Sequence, residues 1–564
     1  MDMKTIKPNS TKSDAGLQSK RIAGGILVFI LTGLVAGLLW WNWYKKELIK
    51  TKVELTVHEK SQGLYKVTYD DLILDEIEGS LSIHNFSLRY DSTRIKGLAL
   101  LDQPPSFLIN IHIPEIHVRG VLTPKALIEM ELVGRILEVK NPVIEIFETG
   151  LGKDSSASPP SQEVYKQILG NLELISIDSI LATGAYINVS SLNERKPAIK
   201  MENISVSMID VKVDSASNAD TGRFLFSRQL NMEGVRLAWP SANKLYEFNL
   251  DSFTLNSKSR TADIKEFHIR TTLSEEAYVN QFPTQKDRFN LVTKNIHLVN
   301  LDVKSFFENK LFADSMIISA LQFRLYRDLT MKRDRKNRLD KNLQSLLNEL
   351  PVTTHLGKII IQNGYLEYKL IGEKTQQPGT VQFSNLFTAI GNFTNDAVMI
   401  EKNKVLTVDM NARFLNQSKV NLNWKFYLGR PDGAFDLRGT LNAIDAFQLN
   451  PVSRPLAALE FVKGRVNGLQ FDLSGNIYGV EGKVQLSYQD LKVKMLKLDE
   501  DTQELKKDPL THLAANIIIR NSSAEKNGEV KVEQVNYKRD PARSFLSMTW
   551  KAVLSGIKQS MGVK

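Results

Sequence analysis

FLINIHIPEIHVR, residues 107–119, sets Phe107, Ile109, Ile111 and Ile113 on one side and Leu108, Asn110, His112 and Pro114 on the other. Ile116 and Val118 then resume one position out of phase. A period of two with one apolar face marks a half-buried strand, usually in an antiparallel sheet. A one-residue slip turns the apolar set to the wrong side unless a bulge absorbs it, and Pro114 marks where that bulge belongs. The same alternation returns further along, at Ile204, Val206 and Met208, then at Val211 and Val213. It returns again where Val484, Leu486 and Tyr488 alternate with Gln485, Ser487 and Gln489, and where Leu491, Val493 and Met495 follow. The chain therefore reads as mainly β, with an extended, curled antiparallel sheet of groove-like or repeat-like form.

Helices are few. Thr123-Pro124, a cap followed by proline at the first position, predicts a short helix over 124–131. Two more are predicted over 162–169 and 343–350, the latter with leucines at 343, 346, 347 and 350. Near the C-terminus Leu546, Trp550, Val553, Ile557 and Met561 recur at helical spacing, with Lys551 and Lys558 elsewhere on the wheel. Such a stripe packs on a neighbouring fold or rests on a membrane surface, and packing is the commoner use. Two segments read as linkers: GKDSSASPPSQ (152–162), flexible in composition, and RDLTMKRDRKNRLDKN (327–342), with seven basic and three acidic side chains. The second has no interleaved aromatic residue and reads as a solvated loop rather than a nucleic-acid site.

Before all of this stands an uncharged run of 23 residues, 22–44, between Arg21 and Lys45. About 20 helical residues span the hydrocarbon core of a bilayer. Trp40, Trp41, Trp43 and Tyr44 close the run, where amphipathic rings suit the membrane–water interface. No small-residue cleavage site precedes them, so the run reads as an uncleaved single-pass anchor rather than a signal peptide. Lysines and arginines nearly balance on its two sides, and a short cytoplasmic tail over 1–21 is the simple choice.

The residues beyond the anchor exceed what one compact core organises. With no cysteine in the chain, disulfides, thiol catalysis and cysteine-ligated metals are excluded. The net charge of +10 is spread along the chain and fits either an anionic lipid surface or plain solubility. No GxSxG elbow, HExxH or phosphate-binding glycine loop occurs. His112, Glu115 and His117 form the one close cluster of ligand types, but strand parity sends 112 and 117 to opposite faces unless the chain bulges at Pro114. No catalytic residue, cofactor or metal is expected. Internal similarity is weak but recurrent: ISIDSILATGAYINV (175–189) matches LGKIIIQNGYLEYKL (356–370) in pattern, and the segments that follow each also match.

Residues 107–147, through the short helix to Asn141-Pro142 and a third strand, resemble the N-terminal module of AsmA-like proteins. GSLSIHNFSLRYD (79–91) looks like the hairpin that precedes it. The stretch from FDLRGTLNAIDAF through Lys463-Gly464 and Gly482 to the following strand pair resembles that family's C-terminal module, and the middle resembles large AsmA-like proteins of Bacteroidetes type. The resemblance implies a division into tail (1–21), anchor (22–44), N-terminal β module (45–150), linker (151–162), middle β region (163–326), basic loop with short helix (327–350), C-terminal β module (351–540) and C-terminal helix (541–564). It further implies an inner-membrane protein whose bulk lies in the periplasm, holding phospholipid or acyl chains along an apolar β-groove. Ile109, Ile111, Ile113, Val484, Leu486 and Tyr488 are the candidate lining. The competing expectation is a scaffold that binds other envelope proteins without lipid cargo. Neither involves nucleic acid.

Overall fold

The computed structural model describes residues 61–562 apart from 62, 76–77, 99–104, 106, 122–130, 150–172, 193–197, 221, 224, 500–501, 503–504, 508–519, 521 and 524–528. The predicted anchor with Trp40, Trp41, Trp43 and Tyr44, the helix expected over 162–169 and nearly all of that over 124–131 lie outside the described residues. Among the described residues no helix is long and apolar enough to cross a membrane. The chain divides into two compact units, Met1–Lys265 and Glu266–Lys564, and both are mainly β.

In the first unit, β1 (Tyr65–Thr68) and β2 (Asp71–Asp75) are two halves of one line paired to β3 (Ser80–Tyr90), which pairs with β4 (Phe107–Arg119). β5 (Glu131–Lys140) and β6 (Val143–Glu148) are likewise halves of one strand broken at Asn141-Pro142. They lie between β4 and β7 (Leu174–Ser191). β8 (Ile199–Val213), β9 (Gln229–Pro240) and β10 (Glu247–Asn256) follow as antiparallel neighbours. β11 (Thr261–Arg270) straddles the division.

In the second unit, β12 (Arg288–Val299), β13 (Lys310–Asp328), β14 (Thr353–Ile371), β15 (Pro378–Thr394), β16 (Val405–Phe414), β17 (Ser418–Tyr427) and β18 (Phe435–Leu441) pair in chain order. The short β19 (Ile444–Asp445) and β18 both pair with β20 (Leu459–Gly475), which pairs with β21 (Gly479–Leu498). β22 (Leu505–Lys507) and β23 (Val532–Lys538) each pair with β21.

The expectation of a purely antiparallel sheet needs correction. β5 and β6 run parallel to β7, and β13 runs parallel to β14. Parallel neighbours need a crossover of a dozen or more residues. Of the two segments that read as linkers, 152–162 falls between β6 and β7 in the chain, and 327–342 begins with the last two residues of β13 and continues into the crossover to β14, so each joins directly paired strands. Alternation alone does not separate the cases, because the strands keep one wet face in either pairing.

Many of the long strands are interrupted at a point where their phase shifts, most often at a left-handed residue. Asn85 (φ 52°) faces the break in β4 at Pro114, where the ladder skips both residues. The line continues through Asn141 (50°), Gly184 (67°), Asn203 (53°) and Ser252 (47°). Asparagine tolerates the left-handed region better than other side-chain-bearing residues, and glycine enters it freely. Across several of these positions buried residues stand three apart instead of two, as at Ile83 and Phe86, Ile113 and Ile116, and Ala182 and Ala185. The apolar set therefore stays on one face while the strand bends.

The second unit repeats this plan. Asn295, Asn363 and Asn385 break β12, β14 and β15 at φ of 51°, 52° and 48°. They stand 181, 179 and 182 residues after Pro114, Gly184 and Asn203. Glu131 faces Leu174 in one parallel pair and Lys310 faces Thr353 in the other, a separation of 43 residues in both. A short helix follows β8 (Ser215–Ala219, capped by Asp214) and another follows β15 (Ala397–Lys402, capped by Asp396). The helix expected over 343–350 forms as Leu343–Asn348, capped by Asn342.

Candidate functional site

β16 and β17 make the clearest alternation in the chain. Leu406, Val408, Met410, Ala412 and Phe414 alternate with polar residues and face Phe426, Trp424, Leu422, Val420 and Ser418 across the ladder. The same row reaches β15 and β14 through Phe414 opposite Phe383 and Phe383 opposite Leu366. It reaches β18 through Val420 opposite Leu441. Leu386, Ala412 and Val420 are buried at the floor, and around them Leu366, Phe383, Met410, Phe414, Leu422 and Leu441 are only half-buried. The Phe383 and Phe414 rings meet at 5.5 Å. Five strands at about 4.8 Å spacing give an apolar strip roughly 20 Å wide. Its large side chains keep surface that no described side chain covers.

One flank of this strip is closed. The helix Leu343–Asn348 and the C-terminal helix Phe545–Ser560 share a core with Leu406, Phe426, Leu437 and Val484. The C-terminal helix approaches β21 closely: a Cβ at Gly556 would overlap the Val484 side chain. The Tyr488 hydroxyl donates to the Ser560 carbonyl at 3.3 Å. Burial, eased slightly by Arg520, pushes the Tyr488 phenol above its ordinary value.

Val484, Leu486 and Tyr488 are thus together on one face, but as closed core at 0%, 5% and 1% exposure. Ile111 and Ile113 are also closed, at 2% and 1%, while Ile109 is half-buried. The two triplets belong to different units. The half-open residues Leu366, Phe383, Met410, Phe414 and Leu422 were missed, although the period-two pattern over 405–426 announces most of them.

Polar chemistry is dispersed. The bend at Pro114 turns His112, Glu115 and His117 to the same outward face, yet each is engaged. Ser87 Oγ and His112 Nδ1 lie 3.0 Å apart, Ser82 Oγ and His117 Nδ1 2.6 Å, and Lys140 donates to Glu115 at 2.9 Å. The Lys140 hydrogen bond holds the Glu115 carboxyl below its ordinary value, against a small opposing burial cost. Among the described residues no three metal-ligating side chains converge. The basic loop is pinned and largely neutralised rather than free. Arg327 binds Asp287, Arg333 meets Glu373 at 2.7 Å, and Asp334 accepts from Arg338 at 3.1 Å. Arg539, 4% exposed, donates to the carbonyls of Arg338 (2.7 Å), Arg543 (3.0 Å) and Ile477 (3.3 Å). Burial pushes its guanidinium below its ordinary value. Burial likewise pushes the Tyr368 phenol up to about 12, with Arg327 opposing.

No protein-family model and no curated protein matches the chain. The chemistry open to the strip follows from its residues alone: it offers no charge, no converging donors and no nucleophile, and it takes apolar matter by excluding water.

Proposed function

We propose that the chain is a membrane-anchored, extracytoplasmic protein of cell-envelope biogenesis whose second unit holds the acyl chains of phospholipid against the β14–β18 strip. The observation that carries this reading is the half-buried apolar row from Leu366 to Leu441, which keeps exposed surface among the described residues. Each acyl methylene withdrawn from water there contributes about 0.8 kcal/mol, and the strip withdraws them along its length at about 25 cal/mol per Å². The headgroup needs no pocket, because a face open to solvent leaves it hydrated. The AsmA-like resemblance supports the same reading. The closed state of Ile111, Ile113, Val484, Leu486 and Tyr488 favours the second reading, a scaffold for envelope proteins with a filled interior.

Phe383 and Phe387 separate the two. They lie on one strand on either side of Asn385, with Phe383 on the strip and Phe387 outward and 43% exposed. A photo-crosslinking benzoylphenylalanine at each position, irradiated in native membranes, reads what each touches. Phospholipid adducts by mass spectrometry at Phe383 and not at Phe387 are expected. Equal adducts at both, or protein adducts alone at Phe383, would sink lipid holding and leave the scaffold.

A further inference from the structure

The C-terminal helix Phe545–Ser560 spends only one side on the fold. Met548, Thr549, Ala552, Val553, Gly556 and Ser560 are buried against the sheet. The opposite side holds Leu546 and Trp550, one turn apart and 54% and 59% exposed. These are two of the five residues of the stripe legible in the sequence. Of that stripe Val553 faces inward, Ile557 and Met561 are partly covered, and Leu546 and Trp550 are turned away from the sheet. Sixteen residues of helix contain no aspartate or glutamate. Lys551 and Lys558, two turns apart, lie on one side of Trp550 around the helix, and neither forms an ion pair with a described carboxylate. Arg543 stands just before the helix and Arg333 approaches from the basic loop. Burial and the like charges of Arg543 and Arg333 push the Lys551 ammonium below its ordinary value, with Asp540 opposing. Asp540 is itself engaged by Arg543 at 3.3 Å. Arg333 is engaged by Glu373 and Arg543 by Asp540, which leaves Lys551 and Lys558 as the cations beside Trp550 with no ion pair to a described carboxylate.

We propose that this outward face docks onto the surface of an anionic bilayer, with Trp550 and Leu546 entering the headgroup boundary while Lys551 and Lys558 meet lipid phosphates. Exposed tryptophan and leucine beside unpaired lysines on an acid-free helix are the composition of an interfacial helix. The charge names the occupant: a protein groove would have to supply acidic groups at fixed places, whereas a negatively charged leaflet supplies them wherever the lysines fall. The Gly556 contact on Val484 fixes the face rigidly to the second unit, so docking orients that unit on the bilayer. The inference does not depend on acyl chains entering the β14–β18 strip.

The chain has no cysteine, so a single label is clean. Ser547→Cys, central on the outward side, is labelled with a nitrobenzoxadiazole probe in the full chain held in phosphatidylcholine nanodiscs. Vesicles carrying a spin-labelled lipid are then added. Quenching is expected with vesicles of phosphatidylcholine and phosphatidylglycerol and absent with phosphatidylcholine alone. The lipid concentration for half-quenching rises about 25-fold in Lys551→Gln/Lys558→Gln, since each lysine near an anionic surface accounts for about a five-fold change. Trp550→Ser weakens it further. A probe at Gln362→Cys, in the exposed middle of β14 of the same unit, stays unquenched. No quenching of the Ser547 probe by anionic vesicles overturns the proposal. So does quenching that ignores headgroup charge, or quenching shared by the Gln362 probe.

Discussion

Asn363 occupies the middle of a 19-residue strand with φ of 52°, and its side chain is exposed. Its identity therefore matters through the backbone and not through packing. A left-handed residue costs roughly 1–2 kcal/mol for an ordinary L side chain, and asparagine and glycine escape most of that. Asn363→Val should lower the stability of the second unit by about that amount, although valine is the better strand former. Asn363→Gly should change it by less than about 1 kcal/mol. Urea midpoints at constant slope read the difference, and a valine variant as stable as the parent would show that the bend is not imposed at this residue. The same physics was visible in sequence at Pro114, where the apolar phase slips and no donor is available for the ladder. It was not visible at Asn85, Asn203 or Asn385, because an asparagine between apolar residues reads equally well as an ordinary outward position. Locating the slip needs the phase on both sides, and short strand halves blur it.

At the scale of elements, helix and strand identities were legible where periodicity was sustained, and pairings were not. Nothing local to β6 says that it lies alongside β7 rather than folding back on a hairpin, since the decision is made by the crossover between them. The basic run over 327–342 reads from its composition as a solvated loop, and beyond the end of β13 it is one, with most of its charged side chains exposed. What composition did not show is that several of those side chains pair with carboxylates and that the buried Arg539 holds its backbone. That arginine joins the loop carbonyl of Arg338 to Ile477, beside β21, and to Arg543, before the C-terminal helix. Hydrogen bonds from a charged donor contribute about 1.5–3 kcal/mol each, and a truncated donor strands buried carbonyls. Arg539→Leu is expected to destabilise local closure by at least about 3 kcal/mol. Trypsin should then cut after Arg338 about a hundred-fold faster than in the parent, where the Arg338 amide also donates to the Pro541 carbonyl at 2.8 Å. An unchanged cleavage rate at that bond would mean that the loop is held by its surface ion pairs instead.

Across the whole chain, one plan of strands is used twice and filled differently. Ile177, Ile180, Ala182, Ala185, Ile187 and Val189 on β7 are all at most 4% exposed. Their counterparts on β14 begin equally closed at Leu356, at 2%, but pass to half-buried positions at Ile361, Leu366 and Tyr368. Weak likeness between 175–189 and 356–370 was readable in the sequence. The difference in filling was not, since both segments are equally apolar and burial depends on what the rest of the chain brings to that face. Local opening free energy follows buried apolar contact, so the two copies should exchange amide hydrogens differently despite equal strand pairing. Native-state exchange read by mass spectrometry is expected to show Leu174–Ser191 protected about ten-fold or more longer than Thr353–Ile371. Adding phospholipid should lengthen protection in the second segment alone, because a ligand that binds only the closed form stabilises it by mass action. Equal protection in the two strands would mean that the half-buried strip carries no energetic deficit. Slower exchange on Leu174–Ser191 after lipid addition would place the apolar ligand in the first copy, where the buried face leaves it no room.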